Sequence, residues 1–217
     1  MTKDPLAQRL KGLFVVADDN PCWTQGPVEQ ARAACQGGAA LVQLRTKRST
    51  DRATLAMAAE IRKLTRATDT LFFVNDRFDL ALLAQADGVH LGQDDLPPAS
   101  LPDALRRRLL IGRSTHTLAQ ARSAGAEPVD YVAFGPVFET RSKESAYGSR
   151  GLALLSEVVR SVAPCPVIAI GGIELARVAS VARTGAAGCA VISAVAGAVD
   201  PASAVRALVD ALEKGTR

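Results

Sequence analysis

The chain has 217 residues, 48% of them apolar and 22% charged, with a net charge of +4. That balance excludes a disordered or collagen-like chain and fits one large α/β domain over residues 1–217. The positive excess is mild and scattered, with one tryptophan and two tyrosines for base stacking, so no nucleic-acid partner is expected.

Short apolar runs rich in β-formers alternate with longer helical stretches. The expected strands are Leu13–Ala17, Leu41–Leu44, Leu71–Val74, Gly88–Leu91, Leu109–Gly112, Tyr131–Phe134, Pro166–Ile170 and Gly188–Ile192. Most are continuous apolar runs, as in a parallel sheet buried on both faces. The expected helices are Gly26–Gln36, Thr50–Ala67, Asp76–Ala84, Pro98–Arg108, Thr117–Ala124, Leu152–Ala163, Leu175–Arg183 and Ala202–Lys214. Eight strands each followed by a helix is the arithmetic of a (β/α)8 TIM barrel, with an open doubly wound sheet as the competing arrangement. The longest uncharged stretch late in the chain, Thr184–Val199, has 16 residues and three glycines. A bilayer span needs about 20 apolar residues, so no membrane association is expected. Residues 1–11 show no apolar signal segment, and the four cysteines form no C-x-x-C pair. Both point to a cytoplasmic protein with reduced thiols.

In a barrel the chemistry gathers where strands end. Strand two ends in Gln43-Leu44-Arg45-Thr46-Lys47. Alternation turns Gln43, Arg45 and Lys47 to one side, two cations and an amide suited to a phosphate. Strand three ends in Asn75-Asp76-Arg77 and strand four in His90-Leu91-Gly92-Gln93-Asp94-Asp95. Carboxylates from adjacent strand ends suit a hard cation such as Mg²⁺; taken singly, Asp76 also reads as a helix cap. Strand five leads into Ser114-Thr115-His116-Thr117, offering hydroxyls at the mouth and a helix cap in Thr117. The connection after strand six, Gly135–Gly151, has 17 residues and carries Thr140-Arg141-Ser142-Lys143. Connections that long are usually functional or disordered. Strands seven and eight end in Ile170-Gly171-Gly172-Ile173 and Val191-Ile192-Ser193, where barrels commonly seat a phosphate.

Taken in order, these segments resemble the thiamine-phosphate synthase (thiamine-phosphate pyrophosphorylase) family. The resemblance runs from Leu13 to about Pro201 on Val42-Gln43-Leu44-Arg45-Thr46-Lys47, Asn75-Asp76-Arg77, Gly88-Val89-His90-Leu91-Gly92-Gln93-Asp94-Asp95, Ser114-Thr115-His116-Thr117, Gly135-Pro136-Val137-Phe138, Ile170-Gly171-Gly172-Ile173 and Val191-Ile192-Ser193. It implies a TIM barrel that joins a hydroxymethylpyrimidine diphosphate to a thiazole phosphate and releases pyrophosphate. It implies Gln43, Arg45, Lys47 and Asn75 around the pyrimidine diphosphate and Mg²⁺ on Asp76 and Asp95. Lys143 is implied on the diphosphate and Ser114 near the pyrimidine, the two residues taken as catalytic. Thr140, Ser142, Gly172, Ile192 and Ser193 are implied at the thiazole phosphate. The expected partners are thus phosphorylated small molecules, with a homo-oligomer left open. Two positions depart from the family pattern: Thr46, where Glu is common, and Glu139, where Pro is common. Two other readings stand beside this one, a thiazole tautomerase with His116 as its acid–base group and a non-catalytic binding or regulatory protein.

Overall fold

The computed structural model describes residues 4–140 and 147–215. A short helix α1 (Asp4–Ala7) leads into eight strands, β1 (Gly12–Asp18), β2 (Leu41–Arg45), β3 (Leu71–Asn75), β4 (Gly88–Leu91), β5 (Leu110–Thr115), β6 (Tyr131–Phe134), β7 (Val167–Ile170) and β8 (Gly188–Val191). They pair in parallel in sequence order, and β8 closes on β1. The connecting helices are α2 (Pro27–Gly37), α3 (Asp51–Ala67), α4 (Phe78–Leu83), α5 (Asp103–Arg108), α6 (Leu118–Gly125), α7 (Gly151–Val162) and α8 (Leu175–Ala182). A one-turn helix α9 (Ser193–Ala196) follows β8, and α10 (Pro201–Gly215) packs against α2 and α8. This is the expected (β/α)8 barrel.

Strand alternation separates two apolar layers. One set of residues faces the helices and forms the larger cluster, including Leu13, Val15, Val42, Leu44, Phe72, Val74 and Val89. The other set fills the barrel, with Phe14, Leu41, Leu71, Phe73, Leu110, Tyr131 and Ile168 packed together and Leu10 joining them from the N-terminal segment. Two glycines make that interior possible. A Cβ on Gly88 would stand 2.4 Å from the Phe73 ring, and one on Gly112 would stand 2.2 Å from the Tyr131 ring. Each ring occupies the space its glycine leaves; the two are tilted 57° with centroids 6.0 Å apart, and Phe14 is edge-on to Tyr131 at 5.6 Å between centroids.

The structure moves some expected boundaries. Strand five runs to Thr115 rather than stopping at Gly112, so Arg113 and Ser114 are strand residues with fixed directions. The helix expected over Pro98–Arg108 is a 3-10 turn (Pro98–Ser100) followed by α5. Pro102 breaks it, because proline lacks an N–H and drives the preceding Leu101 into the extended conformation, ψ 137°. Thr117 caps α6 as expected, accepting from the Gln120 N–H at 3.1 Å. Among the described residues no helix is long and apolar enough to cross a membrane.

Candidate active site

A cavity of about 520 Å³ opens at the C-terminal ends of the strands. Arg45, Lys47, Asn75, Asp76, Asp95 and Ser114 line one part of it, and Thr140, Gly172, Ile192 and Ser193 another. Gln43 sits lower. It is 7% exposed and shares the inward side of β2 with Leu41, beneath the cavity floor. Ser142 and Lys143 lie outside the described residues.

The cationic side is built by two aspartates that reading the later strand ends misses. Asp18 ends β1 directly beside Arg45 in the register. Its buried carboxylate pairs with Arg45 Nη1 and also accepts from Trp23 Nε1 at 3.0 Å. A guanidinium held this way is aimed before any ligand arrives. Asp19 organises the segment that carries Lys47. Its carboxylate accepts the backbone N–H groups of Lys47 (2.9 Å), Arg48 (3.0 Å) and Ser49 (2.8 Å), and the Ser49 hydroxyl at 2.8 Å. Partial burial raises the Asp19 pKa, but these donors outweigh it and bring the carboxyl below its ordinary value. The chain signals this pair as Asp18-Asp19 directly after the first apolar run.

Asp19→Ala should therefore cost about 0.5–1.5 kcal/mol, the net worth of a hydrogen bond, because water can reach the Lys47 and Arg48 N–H groups it leaves. A carboxyl with a depressed folded pKa stabilises above its unfolded value and loses that contribution as pH falls through the folded value. Urea unfolding of the two proteins should differ most at neutral pH and converge as pH falls through the depressed folded value of the Asp19 carboxyl. A gap that stays constant down to pH about 2 would assign the loss to packing instead.

Asp76 does not cap α4, whose N-cap is Arg77. Asp76 has φ 62°, the left-handed region, and its N–H donates to the His90 carbonyl at 2.7 Å. Aspartate tolerates that conformation better than most residues, and such outliers cluster at functional sites. It turns the carboxylate over the mouth, where it pairs with the Lys47 ammonium. Asp95 lies close by and accepts the Gly92 N–H at 2.6 Å. Desolvation raises the Asp95 pKa, and the facing Asp76 carboxylate adds to it, against the pull of the Gly92 N–H and the Lys47 ammonium. The loop holding Asp95 is fixed from below by Arg113, another residue that sequence reading passes over. Arg113 is 7% exposed and donates through Nη1 to the Gly92 carbonyl at 2.6 Å.

Another part of the cavity is lined by the turn after β7. Gly171 and Gly172 both have positive φ, 99° and 63°. Val137 donates to the Ile170 carbonyl at 2.9 Å and Phe138 to the Gly171 carbonyl at 3.0 Å, so the start of the long loop is stitched to the end of β7. Arg177 Nη1 donates to the Gly172 carbonyl at 2.8 Å, and its guanidinium lies 4.8 Å over the Phe138 ring. Next to this turn Ser193 opens the short helix α9. Glu139 is exposed, so its charge points to solvent. Thr46 takes no place around the cavity, and its hydroxyl accepts from Thr54 at 3.0 Å.

His116 has a structural task. The Gly135 carbonyl can only accept, so His116 Nδ1 donates to it, at 2.7 Å. The ring stacks on Tyr147 at 4.4 Å between centroids, and Arg150 lies 4.9 Å over the other aromatic's centroid. His116 thus holds together the two described ends of the long connection.

The chain is similar to known proteins along nearly its whole length. The chain is 50% identical over 207 residues to the thiamine-phosphate synthase of Anaeromyxobacter dehalogenans, covering 95% of this chain and 90% of that protein. It is 46% identical to the thiamine-phosphate synthase of Methanoculleus marisnigri over 91% of this chain and 93% of that one. Among solved structures it superposes on the thiamine phosphate pyrophosphorylase of Pyrococcus furiosus with a TM-score of 0.86 and 37% identity, over 98% of this chain and 100% of that one. A family model for thiamine monophosphate synthase matches residues 13–195, and with nearly the whole barrel matched the chain belongs to that family.

Proposed function

We propose that the protein joins hydroxymethylpyrimidine diphosphate to a thiazole phosphate, forming thiamine phosphate and releasing pyrophosphate. The observation that carries this reading is one cavity with two anion seats. One is the Arg45, Lys47, Asp76 and Asp95 cluster, and the other is the Gly172 turn beside Ser193. In the reaction the bond from the pyrimidine methylene carbon to the diphosphate oxygen breaks, and its electron pair leaves with pyrophosphate. The thiazole nitrogen then gives its lone pair to the methylene carbon, which leaves that nitrogen positively charged. No enzyme nucleophile and no proton transfer is needed for the new bond. The protein's work is positioning and charge neutralisation, for which the described lining offers Arg45 and Lys47 beside the Asp76, Asp94 and Asp95 carboxylates.

In this reading Arg45 and Lys47 hold the diphosphate, with Asn75 beside it, Ser114 toward the pyrimidine and Gln43 supporting this side from the layer beneath the cavity rather than lining it. Thr140, Gly172, Ile192 and Ser193 hold the thiazole phosphate, and Ser142 and Lys143 of the adjoining loop are assigned to the same substrates. Asp76 and Asp95 suit Mg²⁺, which usually takes one or two carboxylates and fills its octahedron with waters and substrate phosphate oxygens. Their mutual repulsion is what a cation between them would relieve. A cation held by Asp76 and Asp95 would supply positive charge toward the departing pyrophosphate. The four unpaired cysteines support a cytoplasmic setting.

The test is pyrophosphate release that requires both substrates. Lys47→Ala removes a charge-assisted hydrogen bond of about 1.5–3 kcal/mol, so KM for the pyrimidine diphosphate should rise by about 10- to 100-fold. KM for the thiazole phosphate should hardly change. A rise confined to the thiazole phosphate would reverse the two seats.

A further inference from the structure

Beneath Ser114 lies a buried polar chain that the reading above does not use. His90 and Ser114 lie on adjacent strands and face the barrel interior. His90 Nε2 is 2.8 Å from Ser114 Oγ, and His90 Nδ1 is 2.7 Å from the Tyr131 hydroxyl, 41 residues away. The His90 ring stacks on Tyr131 with centroids 5.6 Å apart and planes 25° apart. His90 is 7% exposed and Tyr131 is 1% exposed, so neither reaches a ligand. Ser114 does, because it lines the cavity. We propose that Tyr131 and His90 are positioning residues that fix the direction of the Ser114 hydroxyl, so that Ser114 meets the pyrimidine substrate as a hydrogen-bond donor.

The direction follows from counting protons. Full burial pushes the Tyr131 pKa far above its ordinary value, so the phenol keeps its proton. A buried O–H needs an acceptor. Among the described residues the phenol's one hydrogen-bond partner is His90 Nδ1, so Tyr131 donates and Nδ1 accepts. A neutral imidazole then carries its proton on Nε2 and donates it to Ser114 Oγ. With its oxygen engaged from below, Ser114 turns its own proton up into the cavity. There it fits a ring-nitrogen lone pair of an aminopyrimidine and disfavours an N–H in the same place. Gln93 holds the strand in register for this, its Nε2 donating to the Ser114 carbonyl. The inference rests on the proposed pyrimidine diphosphate substrate for its ligand, but the proton order within the protein is readable without any ligand.

The chain has two histidines, which makes the test clean. In nitrogen-15 NMR of the ligand-free protein, His90 should be the Nε2–H tautomer. His116, which donates from Nδ1 to the Gly135 carbonyl, should be the opposite tautomer and serves as internal reference. Tyr131→Phe keeps the ring and deletes the donor, so His90 should move toward the Nδ1–H tautomer. The Ser114 proton then turns down to Nε2. Calorimetry with hydroxymethylpyrimidine diphosphate should show Kd rising by about 10-fold in Tyr131→Phe, the size of one lost hydrogen bond. Adding Ser114→Ala to Tyr131→Phe should cost little more, because both changes remove the same donor. An Nδ1–H tautomer at His90 in the parent protein would overturn the proposal even if Tyr131→Phe failed to fold. So would a fully additive double variant. A parent protein with the Nε2–H tautomer but no affinity for the pyrimidine diphosphate would instead overturn the proposed substrate and leave the proton order standing.

Discussion

Asp95→Asn should slow pyrophosphate release by about 10²- to 10³-fold, the range seen when one group stabilising transition-state charge is removed, while the protein melts no lower than its parent. Both halves follow from the same geometry. Asparagine keeps an oxygen that can accept the Gly92 N–H, which Asp95 accepts at 2.6 Å, so the loop stays closed. What disappears is one negative charge facing Asp76. Burial and that neighbour raise the Asp95 pKa in the folded protein. A carboxyl with a raised folded pKa disfavours folding once pH exceeds its unfolded value, so at neutral pH its neutralisation removes a penalty. Under the proposed assignment of Asp76 and Asp95 to Mg²⁺, the loss in turnover would come from a weaker metal site. The Mg²⁺ concentration for half-maximal rate should rise, and saturating Mg²⁺ should recover part of the loss. Parent-like turnover at limiting Mg²⁺ would remove Asp95 from the metal site. A lower melting temperature with unchanged Mg²⁺ dependence would make it a loop residue only.

Much of this architecture is legible in the sequence because parallel barrel strands are buried on both faces. Runs such as Leu71-Phe72-Phe73-Val74 announce themselves by lacking polar residues, and seven of the eight expected strands match within two residues at each end. The exception is instructive. Strand five continues through Arg113, Ser114 and Thr115, three polar residues that look like a loop. They are polar because the strand end is itself the wall of the site. The same cause hides Arg113, whose charge is buried against loop carbonyls rather than solvated. Tyr131 hides for the opposite reason. It sits at the head of an apolar run, and only the closure of the barrel brings its hydroxyl to His90. Strand-end reading finds most residues lining the cavity, because in this fold position along the chain sets position around the mouth. It does not find what orients them: Asp18 for Arg45, Asp19 for the Lys47 segment, and His116 with Tyr147 for the long connection. Those contacts depend on side-chain reach across strands, which periodicity does not encode.

The second large effect is expected at Gly172, where a single methyl group should separate the two substrates in kinetics. Gly172 has φ 63°, and a Cβ there would come 2.2 Å from the Glu139 carbonyl oxygen and 2.9 Å from the Phe138 Cβ. The nearest obstacle is backbone, so no side-chain rotation relieves it. Either the turn after β7 or the Phe138–Thr140 segment must shift. Phe138 is tied to the Gly171 carbonyl and lies under Arg177, which itself holds the Gly172 carbonyl, so the displacement spreads through the whole side proposed for the thiazole phosphate. Left-handed strain and the forced contact together should cost about 1–4 kcal/mol. At 2–4 °C per kcal/mol for a chain this size, that is a drop of about 2–16 °C in Tm. The folded fraction should show KM for the thiazole phosphate raised by about 10- to 100-fold, with KM for the pyrimidine diphosphate within about threefold of the parent, because Arg45 ends β2 and Lys47 and Asp95 lie in the loops after β2 and β4, away from this turn. Gly148→Ala is the matched control. A Cβ there meets nothing within 4 Å, so both KM values and Tm should stay at the parent's. Gly172→Ala that raised KM for the pyrimidine diphosphate alone would exchange the two seats. Unchanged KM values for both, in a protein whose melting temperature had fallen as expected, would make the glycine turn a packing feature and leave Ser193 and Thr140 to hold the phosphate.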